Sequence, residues 1–556
     1  MRANLLSKEM LVTTCACIVM FFAFDSANLY TNATSLMSSN SSLINRSIKV
    51  ALLTSIALIT YYSVAYCIIA RSHVLRFAGA LIYFAGVINA FAFTVSGSYP
   101  DVTLLGVAIQ DWHFSGAFAS SHWKSIAYTL AYSIVIFLLF IAVKTKLSLV
   151  GSNRLAGLLF LLALIANVSC ASLTAGRRPA FYGYNMAIES TKALLTQQIP
   201  YAPRAKVAAI ECTQCPDLLF YVIDESVNYE ALSAINSLVV HADAVSERLG
   251  VPSFSYKAHS AGNHSSVSNY VLRLGVGKSS YPDPQHATLA LPNIFSYAKA
   301  AGYKTVFYDA QVEDNRLQNY LSQYDLADID HFMTSDASSA FYNRDYIALQ
   351  KLRGFIDEAA PHHKVAITLV KWGAHFPYIN SIPPQLIDTL PTDCRSADTS
   401  FSSQKTYCTK AQYEAALKFA VDQFMNKLFS MLKGKKFALI YTSDHGQNLT
   451  SKYSLPHGSP ENTSECEISV PILIAGSVFS NAGQDSRAKS HFQIPPTLLN
   501  ILGYGPQANS EGVPLWKEWH GGSDFLYDPF QGQWRKAAES CTYQSHSVPP
   551  FALRGN

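Results

Sequence analysis

The stretch Lys436-Phe-Ala-Leu-Ile-Tyr-Thr-Ser-Asp-His-Gly446 decides how the C-terminal part of this chain is read. An apolar, β-prone run stops abruptly at Ser443, Asp444 and His445, and Gly446 closes it. A short apolar run bounded by turn formers is the mark of a buried strand. Three further runs end the same way: Asp217 to Asp224 meets Glu225, Lys304 to Tyr308 meets Asp309, and Lys364 to Val370 leads to Gly373-Ala-His375. Helical stretches separate them, among them Asn293 to Ala301 and Lys410 to Leu432, which predicts a largely parallel sheet buried on both faces. One polar residue after a strand is most often a cap or turn former. Four such endings bearing Asp, Glu or His point instead to one shared edge, beyond the carboxyl ends of the strands, where ligand sites form.

Outward from that domain the composition changes. The 556 residues are 49% hydrophobic and 14% charged, too apolar for one soluble domain and too polar for a membrane bundle. Before about Ala175 the apolar runs are long. Five segments reach the roughly 20 residues needed to cross ~30 Å of hydrocarbon: Leu11 to Tyr30, Lys49 to Ala70, Phe77 to Val95, Ser125 to Val143 and Leu155 to Ala175. Arg2 and Lys8, Arg71 and Arg76, and Lys144, Lys146 and Arg154 fall in alternate connections, which the positive-inside rule assigns to the cytoplasm. Arg46, Lys49 and Lys124 run against that pattern. The expected organisation is a five-span transmembrane domain at 1–175, an amphipathic surface linker at 176–206 and a catalytic domain at 207–556 on the outer side. A net charge of +4 gives no basic run of the kind nucleic acid requires. Gly277-Lys278-Ser279 is no P-loop, because Leu272 stands where its first glycine belongs.

Six cysteines fall in the outer part: Cys212, Cys215, Cys394, Cys408, Cys466 and Cys541. An even number suits disulfides in an oxidising compartment. Cys394 and Cys408 enclose a short polar loop and are the best candidate pair. Cys212 and Cys215 have the spacing of half a zinc ribbon or a redox pair, but nothing completes either motif, so structural disulfide use is expected.

Glu225, Asp444 and His445 form a carboxylate, carboxylate and imidazole set that suits zinc with an open coordination position. The nucleophile candidate lies in Ser260-Ala-Gly-Asn-His-Ser265-Ser266-Val-Ser268, a polar turn opening a helical pattern, where free N–H groups can hold a phosphate. Such hydroxyl clusters taken alone are more often helix caps. His375 and His457 are candidates for a second metal, for holding phosphoryl oxygens, or for protonating a leaving group. His264, His286, His362 and His363 read as structural.

These motifs resemble the bacterial phosphoethanolamine transferases of the alkaline-phosphatase and sulfatase superfamily, which modify lipid A, lipopolysaccharide or envelope glycans. The resemblance covers essentially the whole chain. Asp224-Glu225-Ser226 stands where that family has Gly-Glu-Thr with its first zinc ligand, and Ser443-Asp444-His445-Gly446 matches its Asp-His-Gly zinc motif. Asn263 to Ser268 aligns with its Thr-rich turn and puts Ser265 on the nucleophile, itself a zinc ligand. Gly373-Ala-His375-Phe-Pro377 and His457-Gly458 match its substrate-side histidines. Ser in place of Thr keeps the hydroxyl. Ala261 and Val271 replace the cysteines that commonly bracket the turn, and Gln447 replaces an acidic residue, which marks a divergent branch. Sulfate ester hydrolysis is not expected, because Val267 and Asn269 stand where the formylglycine motif has Pro and Arg.

The resemblance implies an α-helical membrane domain followed by an α/β/α sulfatase-like domain in the periplasm, anchored in the bacterial inner membrane. It implies one tightly bound zinc, with a second as an option, a phosphatidylethanolamine donor, and a lipid-linked or polysaccharide acceptor. The expected reaction passes through a phosphoethanolamine ester on Ser265. Its rivals are glycerol-phosphate transfer or phosphodiester hydrolysis on the same fold, and a non-catalytic envelope-binding module.

Overall fold

The computed structural model describes residues 2–24, 42–96, 115–173, 191, 199–275, 277–396, 406–449, 456–458, 463–479, 489–505, 513–526 and 534–545. The chain divides into two compact units, Met1–Gln198 and Ile199–Asn556. Most of the expected linker at 176–206 lies outside the described residues, and its described end, 199–206, is irregular.

The first unit holds the helices Arg2–Phe24, Leu43–Ile69, His73–Ser96, Ser115–Lys146 and Asn153–Leu173. Among the described residues, three stretches are long and apolar enough to cross a membrane: Leu43–Ile69, His73–Phe91 and Ile126–Lys146. The expectation of five spans is thus met only in part. Arg2, Lys8 and Glu9 occupy the start of the first helix, and the last contributes a shorter apolar stretch, Asn153–Asn167. Some polar groups inside this unit pair with one another, which lowers their cost in hydrocarbon. Tyr83 donates to the Ser133 carbonyl at 2.8 Å and Asn167 Nδ2 to Thr60 Oγ1 at 2.8 Å.

The second unit is built on a sheet of β1 (Leu218–Asp224), β2 (Ser253–His259), β3 (Lys304–Glu313), β4 (His331–Ser335), β5 (Val365–Val370), β6 (Phe437–Ser443), β7 (Ser469–Gly476) and β8 (Lys489–Ser490). Their order across the sheet is β4-β3-β5-β1-β6-β7-β2-β8. All pairings are parallel except those of β7, which runs antiparallel to both β6 and β2. The four runs singled out in the sequence are β3, β5, β1 and β6, adjacent and mutually parallel, so their carboxyl ends share one edge. β1, β5, β6 and β7 are buried along their whole length. That explains their unbroken apolar character, since helices cover both faces.

The Ser265–Leu274 helix starts at that edge and stops at Gly275, whose φ of 70° caps it in the left-handed region. The stretch expected as one helix over Lys410 to Leu432 is interrupted. Thr406–Leu417 and Phe424–Leu432 are α-helical, and Lys418–Gln423 between them is a π-turn. Three disulfides are present among the described residues: Cys394–Cys408, Cys212–Cys215 and Cys466–Cys541. The last ties the C-terminal segment to the turn that precedes β7.

Candidate active site

Glu225 follows β1, while Asp444 and His445 follow its neighbour β6. Parallel register brings Asp224 opposite Ser443 and so sets the three ligand-type residues side by side. Their donor atoms lie within 4.8 Å of one another, and all three side chains are buried. His445 Nε2 is 3.4 Å from Glu225 Oε1 and 3.6 Å from Asp444 Oδ2. Gly446 lets the strand leave here. A Cβ on it would meet the Cys466 carbonyl at 2.2 Å and the Ser469 carbonyl at 2.6 Å.

The backbone aims these side chains. Asp444 Oδ1 accepts the N–H groups of His445 at 2.7 Å and Ser226 at 3.1 Å, while its buried Oδ2 has no hydrogen-bond partner. Ser226 reaches its position through a left-handed φ of 63°, and its hydroxyl donates to Glu225 Oε1 at 2.5 Å. His445 Nδ1 lies 2.9 Å from the Gly446 carbonyl. A ring proton there leaves Nε2 with its lone pair facing the carboxylates, as a metal-binding imidazole requires.

The site's electrostatics call for a cation. Burial pushes the Asp444 carboxyl well above its usual range, and the Glu225 charge adds to this. Burial opposes the Glu225 charge too, but His445 overrides it and holds that carboxyl well below the usual range. Two carboxylate oxygen donors, one of them the orphaned Asp444 Oδ2, and one imidazole nitrogen fit a divalent ion such as zinc.

Ser265 opens its helix beside this cluster. Its hydroxyl donates to Glu225 Oε2 at 3.1 Å and lies 3.4 Å from His445 Nε2. It is half-buried, whereas Asn263, His264 and Ser266 on either side are buried. Gly262 is needed for this turn, because a Cβ there would meet Val267 Cβ at 2.7 Å. Asn263 Nδ2 donates to buried Glu467 at 3.0 Å, and Ala261 N–H to His491 Nδ1 at 3.2 Å, which ties the turn to the β7 and β8 side of the sheet.

His457 packs tilted against His445 with ring centroids 4.1 Å apart and 31° between planes, and its Nδ1 lies 3.1 Å from Gln447 Oε1. Burial and then the neighbouring His445 hold its pKa well below the imidazole range. His375 arrives on the segment after β5, with its Nδ1 2.6 Å from the Phe376 carbonyl. The residue before it is tied to the cluster, Ala374 N–H donating to the Glu225 carbonyl at 3.1 Å. Of the residues expected at the site, Glu225, Asp444, His445 and Ser265 meet directly and His457 packs on them. Cys394 and Cys408 form a disulfide that stands apart from the cluster's contacts.

Sequence reading missed two residues here. Gln311, in β3, donates to Glu225 Oε2 at 2.8 Å and to the Lys371 carbonyl at 2.9 Å. Lys371, fully buried, donates to Asp224 Oδ2 at 2.5 Å directly beneath Glu225, and to the Ala420 carbonyl at 2.5 Å in the π-turn. The signal for Lys371 was a charge placed directly after the apolar β5 run. Gln311 gave none.

A family model described as Sulfatase matches residues 218–504, from the start of β1 to just beyond the Ile494–Ile501 helix. The chain belongs to the sulfatase family. Among curated relatives, this sulfatase-family chain is similar to the Kdo(2)-lipid A phosphoethanolamine 7''-transferase of Salmonella typhimurium, at 25% identity over 241 residues, 40% of each chain. It is also similar to phosphoethanolamine transferase EptA of Helicobacter pylori, at 26% identity over 190 residues, covering 33% of this chain and 35% of that one. These matches thus span well under half of the curated relatives' length. Of solved structures, the integral membrane lipooligosaccharide phosphoethanolamine transferase A of Neisseria meningitidis superposes with a TM-score of 0.59 at 16% identity, covering 90% of this chain and 96% of that one. That likeness extends the shared fold to the membrane unit.

Proposed function

We propose that this chain is a five-span inner-membrane transferase with its catalytic unit in the periplasm. It would move phosphoethanolamine from phosphatidylethanolamine to a lipid A, lipopolysaccharide or envelope glycan acceptor. The observation that carries the reading is Ser265. Its half-exposed hydroxyl at a helix N-terminus is hydrogen-bonded to Glu225 and lies beside His445, in a chain similar to phosphoethanolamine transferases.

Glu225, Asp444, His445 and Ser265 would hold one zinc ion, which when bound lowers the pKa of the serine hydroxyl and supplies positive charge to the phosphoryl group. In the first step Ser265 Oγ attacks the donor phosphorus. The new Oγ–P bond forms as the P–O bond to diacylglycerol breaks, and Glu225 Oε2 is positioned to accept the serine proton. His375 would stand on the substrate side and return to the departing diacylglycerol oxygen the proton taken from Ser265, while His457, kept neutral by burial, would pack against His445 beside the phosphoryl group. A sugar hydroxyl then attacks the phosphorus: its O–P bond forms as the Oγ–P bond breaks, and its proton ends on Ser265 Oγ, which is regenerated as the free hydroxyl. N–H groups at the start of the Ser265–Leu274 helix favour the phosphoryl charge throughout. Membrane anchoring keeps donor and lipid-linked acceptor within reach by lateral diffusion.

Intact mass of the full chain after incubation with phosphatidylethanolamine and zinc tests this reading. Wild type should gain one phosphoethanolamine and Ser265→Ala none. An equal gain on Ser265→Ala would refute the nucleophile, and no gain on zinc-loaded wild type would refute the transfer.

A further inference from the structure

The segment that delivers His375 is built around one indole. Beyond β5 the backbone N–H groups of Trp372 and Gly373 donate to the two oxygens of buried Asp345 at 2.7 and 3.1 Å, and Ala374 N–H donates to the Glu225 carbonyl at 3.1 Å. Trp372, 2% exposed, then turns back on the histidine three residues ahead. The two rings stack with centroids 4.7 Å apart and 27° between planes.

Phe341 stacks on the same indole at 4.4 Å and 19°. The buried Arg344 guanidinium sits 4.5 Å from the Phe341 ring and 5.3 Å from the Trp372 ring. The indole N–H donates to Ser381 Oγ at 3.0 Å, and that hydroxyl donates to the His375 carbonyl at 3.3 Å. Ser381 is 1% exposed, so water does not compete for the relay. One side chain therefore holds its neighbour twice, by the ring through stacking and by the main chain through a hydroxyl.

The geometry points to Trp372, with Ser381 as its relay, as the positioning residue that sets the ring orientation in which His375 presents Nε2 to the substrate. His375 Nδ1 is already engaged by the Phe376 carbonyl at 2.6 Å. A half-turn of the imidazole about Cβ–Cγ would break that contact, putting Cδ2 where Nδ1 now stands and Cε1 where Nε2 now stands. Stacking alone tolerates such a turn, since both ring faces are alike. The relay fixes the carbonyl and hence the plane from which the ring hangs, and together the two contacts select one orientation. A Trp that merely filled the core would need neither the parallel stack nor the return path to the His375 carbonyl.

This inference rests on the substrate-side role given to His375 above. Its test is a double-mutant cycle on the full-length, zinc-loaded protein, read as the rate of adduct formation on Ser265 with phosphatidylethanolamine in mixed micelles. Trp372→Leu should lower that rate at least tenfold and Trp372→Phe, which keeps the stack, by much less. Zinc content should stay at the wild-type level in both. Introduced into His375→Ala, neither Trp372→Leu nor Ser381→Ala should lower the rate further.

Equal fold-losses in the wild-type and His375→Ala backgrounds would overturn the assignment, because Trp372 would then act independently of the histidine. Should Trp372→Leu fail to fold, Ser381→Ala, which removes a single oxygen, carries the same cycle. Should wild type form no adduct at all, the transfer reading falls. The cycle is then run on the affinity for inorganic phosphate, where non-additivity supports the cage and additivity overturns it.

Discussion

Replacing Lys371 with Met keeps the straight side-chain shape and removes only the ammonium. That ammonium is 0% exposed and bonded to an equally buried Asp224, whose other contacts are the Tyr441 hydroxyl at 2.8 Å and the Glu225 N–H at 2.9 Å. Burial alone drives the Asp224 carboxyl above its usual range, and Lys371 is the chief influence pulling it back. Breaking a buried pair from one side costs about 3–5 kcal/mol, because the remaining charge has no compensation. The Ala420 carbonyl also loses its donor from Lys371, a further ~1 kcal/mol. At roughly 2 °C per kcal/mol for a unit of this size, Lys371→Met should melt about 8–12 °C below wild type. Adding Asp224→Asn removes the nearer of the two stranded carboxylates, the other being Asp345 at 3.7 Å, and the double variant should recover part of the loss. Thermal melts followed by tryptophan fluorescence, on full-length protein in detergent and stripped of metal so that zinc does not contribute, measure both. A single variant within 1–2 °C of wild type, or a double variant no better than the single, would refute the reasoning.

Gly446→Ala should cost at least about 2 kcal/mol and weaken zinc binding in chelator competition, since its Cβ would press on the Cys466 and Ser469 carbonyls, both backbone atoms. Glu465 gives a pH prediction: its hydrogen bond with His259, aided by Lys257, holds its carboxyl at about 2, below its unfolded value of 4.5. A depressed carboxylate contributes stability in full above the unfolded value and loses it as pH falls towards the folded one. The melting gap between wild type and Glu465→Gln should therefore be widest above pH 4.5 and close towards pH 2. A gap that widens on acidification would contradict the assignment.

Much of this architecture was legible in the chain. Strand endings at Glu225, His375 and Asp444-His445 could be read because fully buried strands are apolar along their length and change character where the sheet stops. Ser265 needed a resemblance as well, since a serine opening a helix is ordinarily a cap. Lys371 was missed for a physical reason. A lysine after a strand reads as the return to solvent, and only the fold shows a carboxylate waiting under the sheet edge. Gln311 sits where β3 slips register between Asp309 and Glu313, and alternation cannot predict which way a residue points across such an irregularity. The relay through Ser381 depends on a loop closing back on itself, which no periodicity encodes. β2 was missed because its half-exposed, mixed sequence, Ser-Phe-Ser-Tyr-Lys-Ala-His, resembles a loop as much as a strand.

The π-turn at Lys418–Gln423 carries a consequence for how this chain tolerates length changes. A helix advances about 100° per residue, so a turn widened to i→i+5 bonding stores one residue of extra phase between two otherwise regular segments. Removing a single residue there would let the helix relax to uniform winding. Its C-terminal half would then keep its facing, because the residue lost is the one whose phase the wide turn had absorbed, and Phe424, Leu428 and Leu432 would still fill the interior. A single deletion at this point should thus be better tolerated than one in the regular Phe424–Leu432 turns, where a rotation of about 100° would turn Lys427 and Ser430 towards the interior.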